Sequence, residues 1–137
     1  HKELGHIMWE YVGMARDKEG LELALEKLKE IRETFNKDLF IPGTQEGMNI
    51  ELDKAFRLND FITMGELIAY DALNRNESCG AHFREEYQTA DGEAKRNDKD
   101  YMYVACWKYT GENEKPILLK EPLKYEAIQV QTRNYKS

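Results

Sequence analysis

A mainly α protein is the expectation from this sequence: an antiparallel three-helix bundle followed by a C-terminal irregular segment and a short β-hairpin. Three observations carry it. Apolar residues recur at helical spacing through three successive stretches, and the joints between those stretches hold capping and turn residues. Only past residue 100 does the period change to two, with aromatic side chains on one side.

In the first stretch Leu4, Ile7, Met8, Tyr11, Val12 and Ala15 share one stripe, which predicts a helix from Lys2 to about Ala15 with an end weakened by Gly13. Asp17 can cap a second helix, and Glu19 in its first turn suits the positive end of the helix dipole. Leu21, Ala24, Leu25, Leu28, Ile31 and Phe35 hold one face of that helix, which should stop near Asn36. Pro42-Gly43, Thr44, Glu46 and Gly47 then mark a loop.

Asn49 is a good N-cap for the third helix. Its run of Leu52, Ala55, Phe56, Phe61, Ile62, Met64, Leu67, Ile68, Ala69, Ala72 and Leu73 is apolar over more than half the circumference. Such a helix is expected to be contacted on two sides. From Ile50 to Arg75 it would span roughly 40 Å at about 1.5 Å per residue, room for both other helices to lie along it. Residues 1–84 form the bundle in this division and residues 85–137 a C-terminal extension.

Residues 85–100 lack periodicity, with Asp91-Gly92 as a turn signal, and are expected on a surface. Tyr101, Tyr103, Ala105, Trp107 and Tyr109 alternate with Met102, Val104, Cys106 and Lys108, the pattern of a strand with an aromatic face. After a turn over Thr110 to Lys115, Ile117-Leu118-Leu119 and Tyr125 to Val130 are expected to pair back, with Pro116 and Pro122 confining them to an edge. A lone hairpin is marginal in water, so the aromatic face should rest on something.

Composition narrows function by exclusion. The 137 residues suffice for one core, and 26 acidic against 20 basic side chains give a net charge of −6, which argues against a nucleic-acid partner. No run of about 18 apolar residues and no signal-peptide core occurs, so membrane association is expected only through partners. Cys79 and Cys106 make neither a disulfide framework nor a CxxC pair, which suits free thiols, with a bond between them left open. The chain starts at His1, almost at once within helical periodicity, and is expected to be part of a longer protein.

The densest chemistry lies in Arg75-Asn-Glu-Ser-Cys-Gly-Ala-His-Phe-Arg84, directly after the third helix. Cys79 and His82 have CxxH spacing, but a tetrahedral metal site needs four ligands, and His1 and His6 belong to another helix. A Cys79–His82 nucleophile pair lacks an orienting third group. Glu77 can pair with Arg75 and Arg84, and Gly80 permits a backbone shape closed to other residues. The stretch is then either a solvated helix stop or a rigid docking loop. His6 and Trp9 fit core or boundary packing, and Glu85-Glu86, Asp98 and Asp100 fit a solvated surface. With no G-x-G-x-x-G present, a dinucleotide fold would have to lie elsewhere.

Arg75-x-Glu-Ser-x-Gly-Ala-His after a long helix resembles the C-terminal domain of the succinate dehydrogenase and fumarate reductase flavoprotein subunits, whose usual pattern is Arg-x-Glu-Ser-Arg-Gly-x-His. Leu4-Gly-x-Ile-Met-Trp9 with Val12-Gly-Met and Arg16 is similar to that family's first helix. Asn97-Asp98 stands where its Arg-Asp-Asp element does, and Arg133-Asn-Tyr135 resembles its terminal Arg-x-Tyr. Cys79 departs from the pattern, replacing an arginine; Arg84 is the nearby cation that could stand in for it.

The resemblance implies a bundle that packs against the FAD-binding and capping domains of the same chain and against an iron–sulfur subunit, with a membrane anchor contacted only indirectly. It implies a subunit that interconverts succinate and fumarate, exchanging electrons with quinone through covalently bound FAD, at the cytoplasmic face of the inner membrane. On the same ground no catalytic, flavin or metal ligand is expected in these residues. Arg75, Glu77, Ser78, Cys79, Gly80, His82 and Arg84 are expected at the domain or subunit interface. The alternatives are the same domain of L-aspartate oxidase or adenylylsulfate reductase, and a stand-alone helical interaction module.

Overall fold

A computed structural model describes residues 1–44, 46–111 and 114–131. Helix α1 runs over Lys2–Val12, α2 over Lys18–Asp38 and α3 over Ile50–Asn74. The Asp17 carboxylate accepts from the Gly20 amide at 2.7 Å, and the Asn49 side chain accepts from the Glu51 and Leu52 amides, so both expected caps are in place. Leu4, Ile7 and Val12 meet Leu21, Ala24 and Leu28 and, from α3, Ile62, Ala69 and Ala72 in one continuous core. At Gly65 of α3 there is little room for a side chain: an added Cβ would stand 3.1 Å from the Met8 sulfur. Arg32 of α2 reaches back to Glu66 of α3 at 2.7 Å, and the start of α3 lies against the end of α2, the antiparallel bundle expected.

Helix α1 ends three residues earlier than its apolar stripe suggests. Gly13 leaves it in an extended conformation, and Ala15–Arg16 becomes strand β1 instead, with Ala15 exposed. Strand β2, Phe83–Arg84, pairs with it in parallel, Ala15 opposite Phe83 and Arg16 opposite Arg84. A two-residue strand is too short to show a period, so this link between the first helical joint and the far end of α3 was invisible in the sequence. His6 and Trp9 do not pack as expected: both are exposed, Trp9 at 83%, on the side of α1 away from Leu4 and Ile7.

Residues 85–97 are irregular apart from a bridge between Gln88 and Ala94. A short helix α4, Asp98–Tyr101, capped by Asn97, precedes strand β3, Tyr103–Lys108. Its partner β4, Ile117–Pro122, runs antiparallel in a register from Tyr103–Pro122 to Lys108–Ile117. Pro116 lies just outside the strand and Pro122 is its last residue, where a missing donor costs little. Tyr125 to Val130, expected as strand, is not one: only Ile117–Pro122 pairs with β3. The Arg133-Asn-Tyr135 element lies outside the described residues.

The aromatic face of the hairpin rests on the C-terminal half of α3. The Trp107 indole donates to the Asp71 carboxylate at 2.7 Å, and its ring meets Tyr70 edge-on at 5.0 Å between centroids. Trp107→Ala should therefore cost about 2 kcal/mol, less than for a fully buried tryptophan. It should also release the hairpin selectively: amide protection falls over 103–122 and persists in the bundle.

Helix α3 is contacted by the bundle along its length and by the hairpin over its C-terminal half, and one stripe between these contacts stays open. The bundle occupies the side of Ile62, Gly65 and Ala69, whereas Phe61, Met64 and Ile68, at i, i+3 and i+7, are 60%, 51% and 44% exposed.

Candidate functional site

The Arg75–Arg84 stretch turns back on itself at the end of α3. The Cys79 amide donates to the His82 carbonyl at 2.8 Å and the His82 amide to the Cys79 carbonyl at 3.1 Å, closing a two-residue hairpin turn. Gly80 is the first turn position, with φ 60°, a sign that L side chains rarely adopt. The turn is fixed from inside by polar groups.

Arg84 is only 1% exposed. Its guanidinium donates to the carbonyls of Ala72 at 2.9 Å and Leu73 at 3.3 Å, satisfying acceptors that the end of α3 leaves open. It grips Glu86 with two nitrogens, at 3.1 and 3.2 Å, and lies over the Tyr87 ring. The Ser78 hydroxyl accepts from the Arg84 amide at 2.8 Å and donates to the Arg84 carbonyl at 3.1 Å. Glu86 also accepts from the Lys18 amide at the start of α2. These bonds hold its carboxyl below the ordinary range despite the opposing effect of burial, with Arg84 the largest favourable cause. The expectation that Glu86 is plain surface is corrected accordingly.

Glu77, 2% exposed, pairs with Arg75 at 2.8 Å but not with Arg84, which is committed to Glu86. Its second oxygen accepts from the Asn97 amide at 2.8 Å, and the Ser78 amide donates to the Lys95 carbonyl at 3.0 Å. The segment expected on the surface lies there and also closes the underside of the loop. Arg75 also donates to the Tyr101 carbonyl at 2.8 Å and stands 5.6 Å from the centroids of Tyr101 and Tyr103. Arg84 does not supply the surface charge missing at Cys79, since its guanidinium is turned inward. Cys79 is half-buried and Cys106 exposed, both as free thiols.

His82 joins three segments. Its Nε2 bonds the Arg75 carbonyl at 2.9 Å and so carries the proton, which leaves Nδ1 to accept from Arg16 at 3.4 Å. Burial first, then the charges of Arg16, Arg84 and Arg75, push its pKa down, with the Arg75 carbonyl opposing. A depressed histidine pKa stabilises the fold fully above the unfolded value, near 6.5, and that stabilisation is lost as pH falls from there toward the folded value. The urea midpoint should therefore drop between pH 7.5 and pH 5.5, and His82→Gln should flatten that dependence.

Of the seven residues expected at an interface, Glu77, Ser78 and Arg84 are buried and shape the loop, Arg75, Cys79 and His82 are half-buried, and Gly80 is exposed. Sequence alone gave no role to Arg16, Glu86, Asn97 or the Asp71–Trp107 pair. The apolar residues beside them, Phe61, Met64 and Ile68, line up with Asp71 and Arg75 at the next i+3 and i+7 positions.

Residues 1–135 match the family model described as the fumarate reductase flavoprotein C-terminus. The succinate dehydrogenase flavoprotein subunit of Bacillus subtilis is 27% identical over 135 residues, 98% of this chain and 22% of that protein. An uncharacterized FAD-dependent oxidoreductase of Methanocaldococcus jannaschii is 35% identical over 86 residues, 63% of this chain and 15% of the relative. In structure, the FrdA chain of Escherichia coli quinol fumarate reductase superposes with a TM-score of 0.79 at 25% identity, over 95% of this chain and 21% of that one. The chain thus spans at most about a fifth of the length of these relatives.

Proposed function

Because this chain belongs to the fumarate reductase flavoprotein C-terminal family, we propose that it serves as the docking domain of a subunit that interconverts succinate and fumarate, exchanging electrons with quinone. The flavin and the reacting dicarboxylate are held by the FAD-binding and capping domains of that subunit. The match over nearly the whole chain to a succinate dehydrogenase subunit favours this branch over L-aspartate oxidase or adenylylsulfate reductase. An iron–sulfur subunit is the next partner, and a membrane anchor lies beyond it. No helix among the described residues is long and apolar enough to cross a membrane. In the same reading, attachment is peripheral, at the cytoplasmic face, through those partners.

The observation that carries this reading is the uncovered stripe of Phe61, Met64 and Ile68 beside a loop held by two half-buried ion pairs. Among the described residues both sheets are two-stranded, and no strand feeds a glycine-rich turn that opens a helix to cradle a pyrophosphate.

The test is assembly. The tagged remainder of the subunit should capture this chain, and Phe61→Asp with Met64→Asp should abolish capture while the helical circular dichroism stays unchanged. The purified chain should be colourless and should turn over neither succinate nor fumarate. Capture that survives the double substitution, or a yellow chain with stoichiometric flavin, overturns the reading.

A further inference from the structure

Beyond Ile68 the exposed stripe of α3 runs into an open cleft of about 430 Å³ between α3, the Cys79–His82 turn and strand β3. Leu67, Ile68 and Val104 give it apolar walls, and Arg16, Arg75 and Asp71 bring charge into it. The three charges differ in how they are met. Arg75 is paired with Glu77, and one oxygen of Asp71 is taken by the Trp107 indole. Arg16 is half-buried, yet its bonds run to the Gly13 carbonyl at 3.0 Å and to the neutral His82 ring. Among the described residues it has no ion pair, although it lies opposite Arg84 across β1 and β2. The Asp71 carboxylate of the same cleft acts on Arg16 from beyond ion-pair distance and is already held by the Trp107 indole. A half-buried guanidinium with a like charge behind it and no direct ion pair is costly, and the natural complement is an anion arriving from outside.

We infer that this cleft receives an aspartate or glutamate side chain carried on an apolar segment of the remaining part of the flavoprotein subunit, which closes on Arg16. The apolar walls and their continuity with Phe61 and Met64 favour a protein segment over a free small anion. The charge of Arg16, which has no direct ion pair, favours a carboxylate within it. This inference rests on the domain-docking reading and names what that contact must contain.

Arginine footprinting with phenylglyoxal, read by mass spectrometry, tests it on the intact subunit, with the 137-residue chain as reference. Arg16 should react at least about tenfold more slowly in the intact subunit, as expected for a desolvated charge pair worth 1.4 kcal/mol or more. Arg16→Glu in the intact subunit should raise hydrogen exchange around Trp107 by a similar factor, while Arg16→Lys, which keeps the charge, should stay within about threefold of the parent. Equal Arg16 reactivity in both forms, with Met64 still protected from oxidation, overturns this inference and leaves docking intact. Loss of protection at Met64 as well overturns docking itself. Normal exchange around Trp107 in the Arg16→Glu subunit excludes the carboxylate, and protection of Arg16 in the 137-residue chain by added succinate assigns the site to a small dicarboxylate instead.

Discussion

Arg84→Ala should destabilise the fold by about 3–5 kcal/mol, as expected when a fully buried side chain is emptied and the acceptors it served lose their donor, or roughly 10–17 °C in Tm for a chain of this size. The loss has three parts. The Ala72 and Leu73 carbonyls lose their donor at the end of α3, where the surrounding chain leaves little room for water. The volume of a fully buried side chain is emptied. Glu86 is left facing the α2 N-terminus with only the Lys18 amide to hold it, and at 37% side-chain exposure it can recover much of its hydration. Arg84→Met retains the stem, so it should recover the packing share and leave the carbonyl share exposed. Thermal unfolding of the two variants separates those contributions, and a Tm within 3 °C of the parent for Arg84→Ala would refute the structural role.

Glu77→Ala ranks second, at about 3 kcal/mol, because it leaves Arg75 half-buried without its carboxylate and the Asn97 amide without an acceptor. Its effect should be uneven. Residues 95–97 and the Tyr101–Tyr103 contact hang from Glu77 through Asn97 and Arg75, so amide exchange should accelerate there and in β3 before it does in α1 and α2. Glu77→Gln keeps the shape and one acceptor, and should fall between the parent and the alanine variant. Uniform acceleration through all three helices would mean that the loop and the bundle unfold as one unit.

The bundle was legible because its information is local: Asp17 and Asn49 cap what they begin, and Leu21, Ala24 and Leu28 repeat at the helical period. The aromatic alternation of β3 was legible for the same reason. What escaped was set by distant partners. Tyr125 to Val130 has the composition of a strand, but it finds no partner strand among the described residues. Glu86 carries the charge of a surface residue, and only the buried guanidinium beside it makes it structural. Within the Arg75–Arg84 stretch, residue types announced importance without revealing direction. Glu77, Ser78 and Arg84 point inward, and nothing in their spacing says so.

The parallel pairing of Ala15–Arg16 with Phe83–Arg84 also imposes an order of events. The Lys18 amide meets Glu86 across 68 positions, so the joint that sets the angle between the first two helices waits for residues made long after both. During synthesis α1 and α2 can form and touch, but their mutual orientation becomes fixed only when the turn after α3 has emerged. A ribosome stalled before Arg84 would hold a helical but unlatched intermediate with its apolar core still open to chaperones.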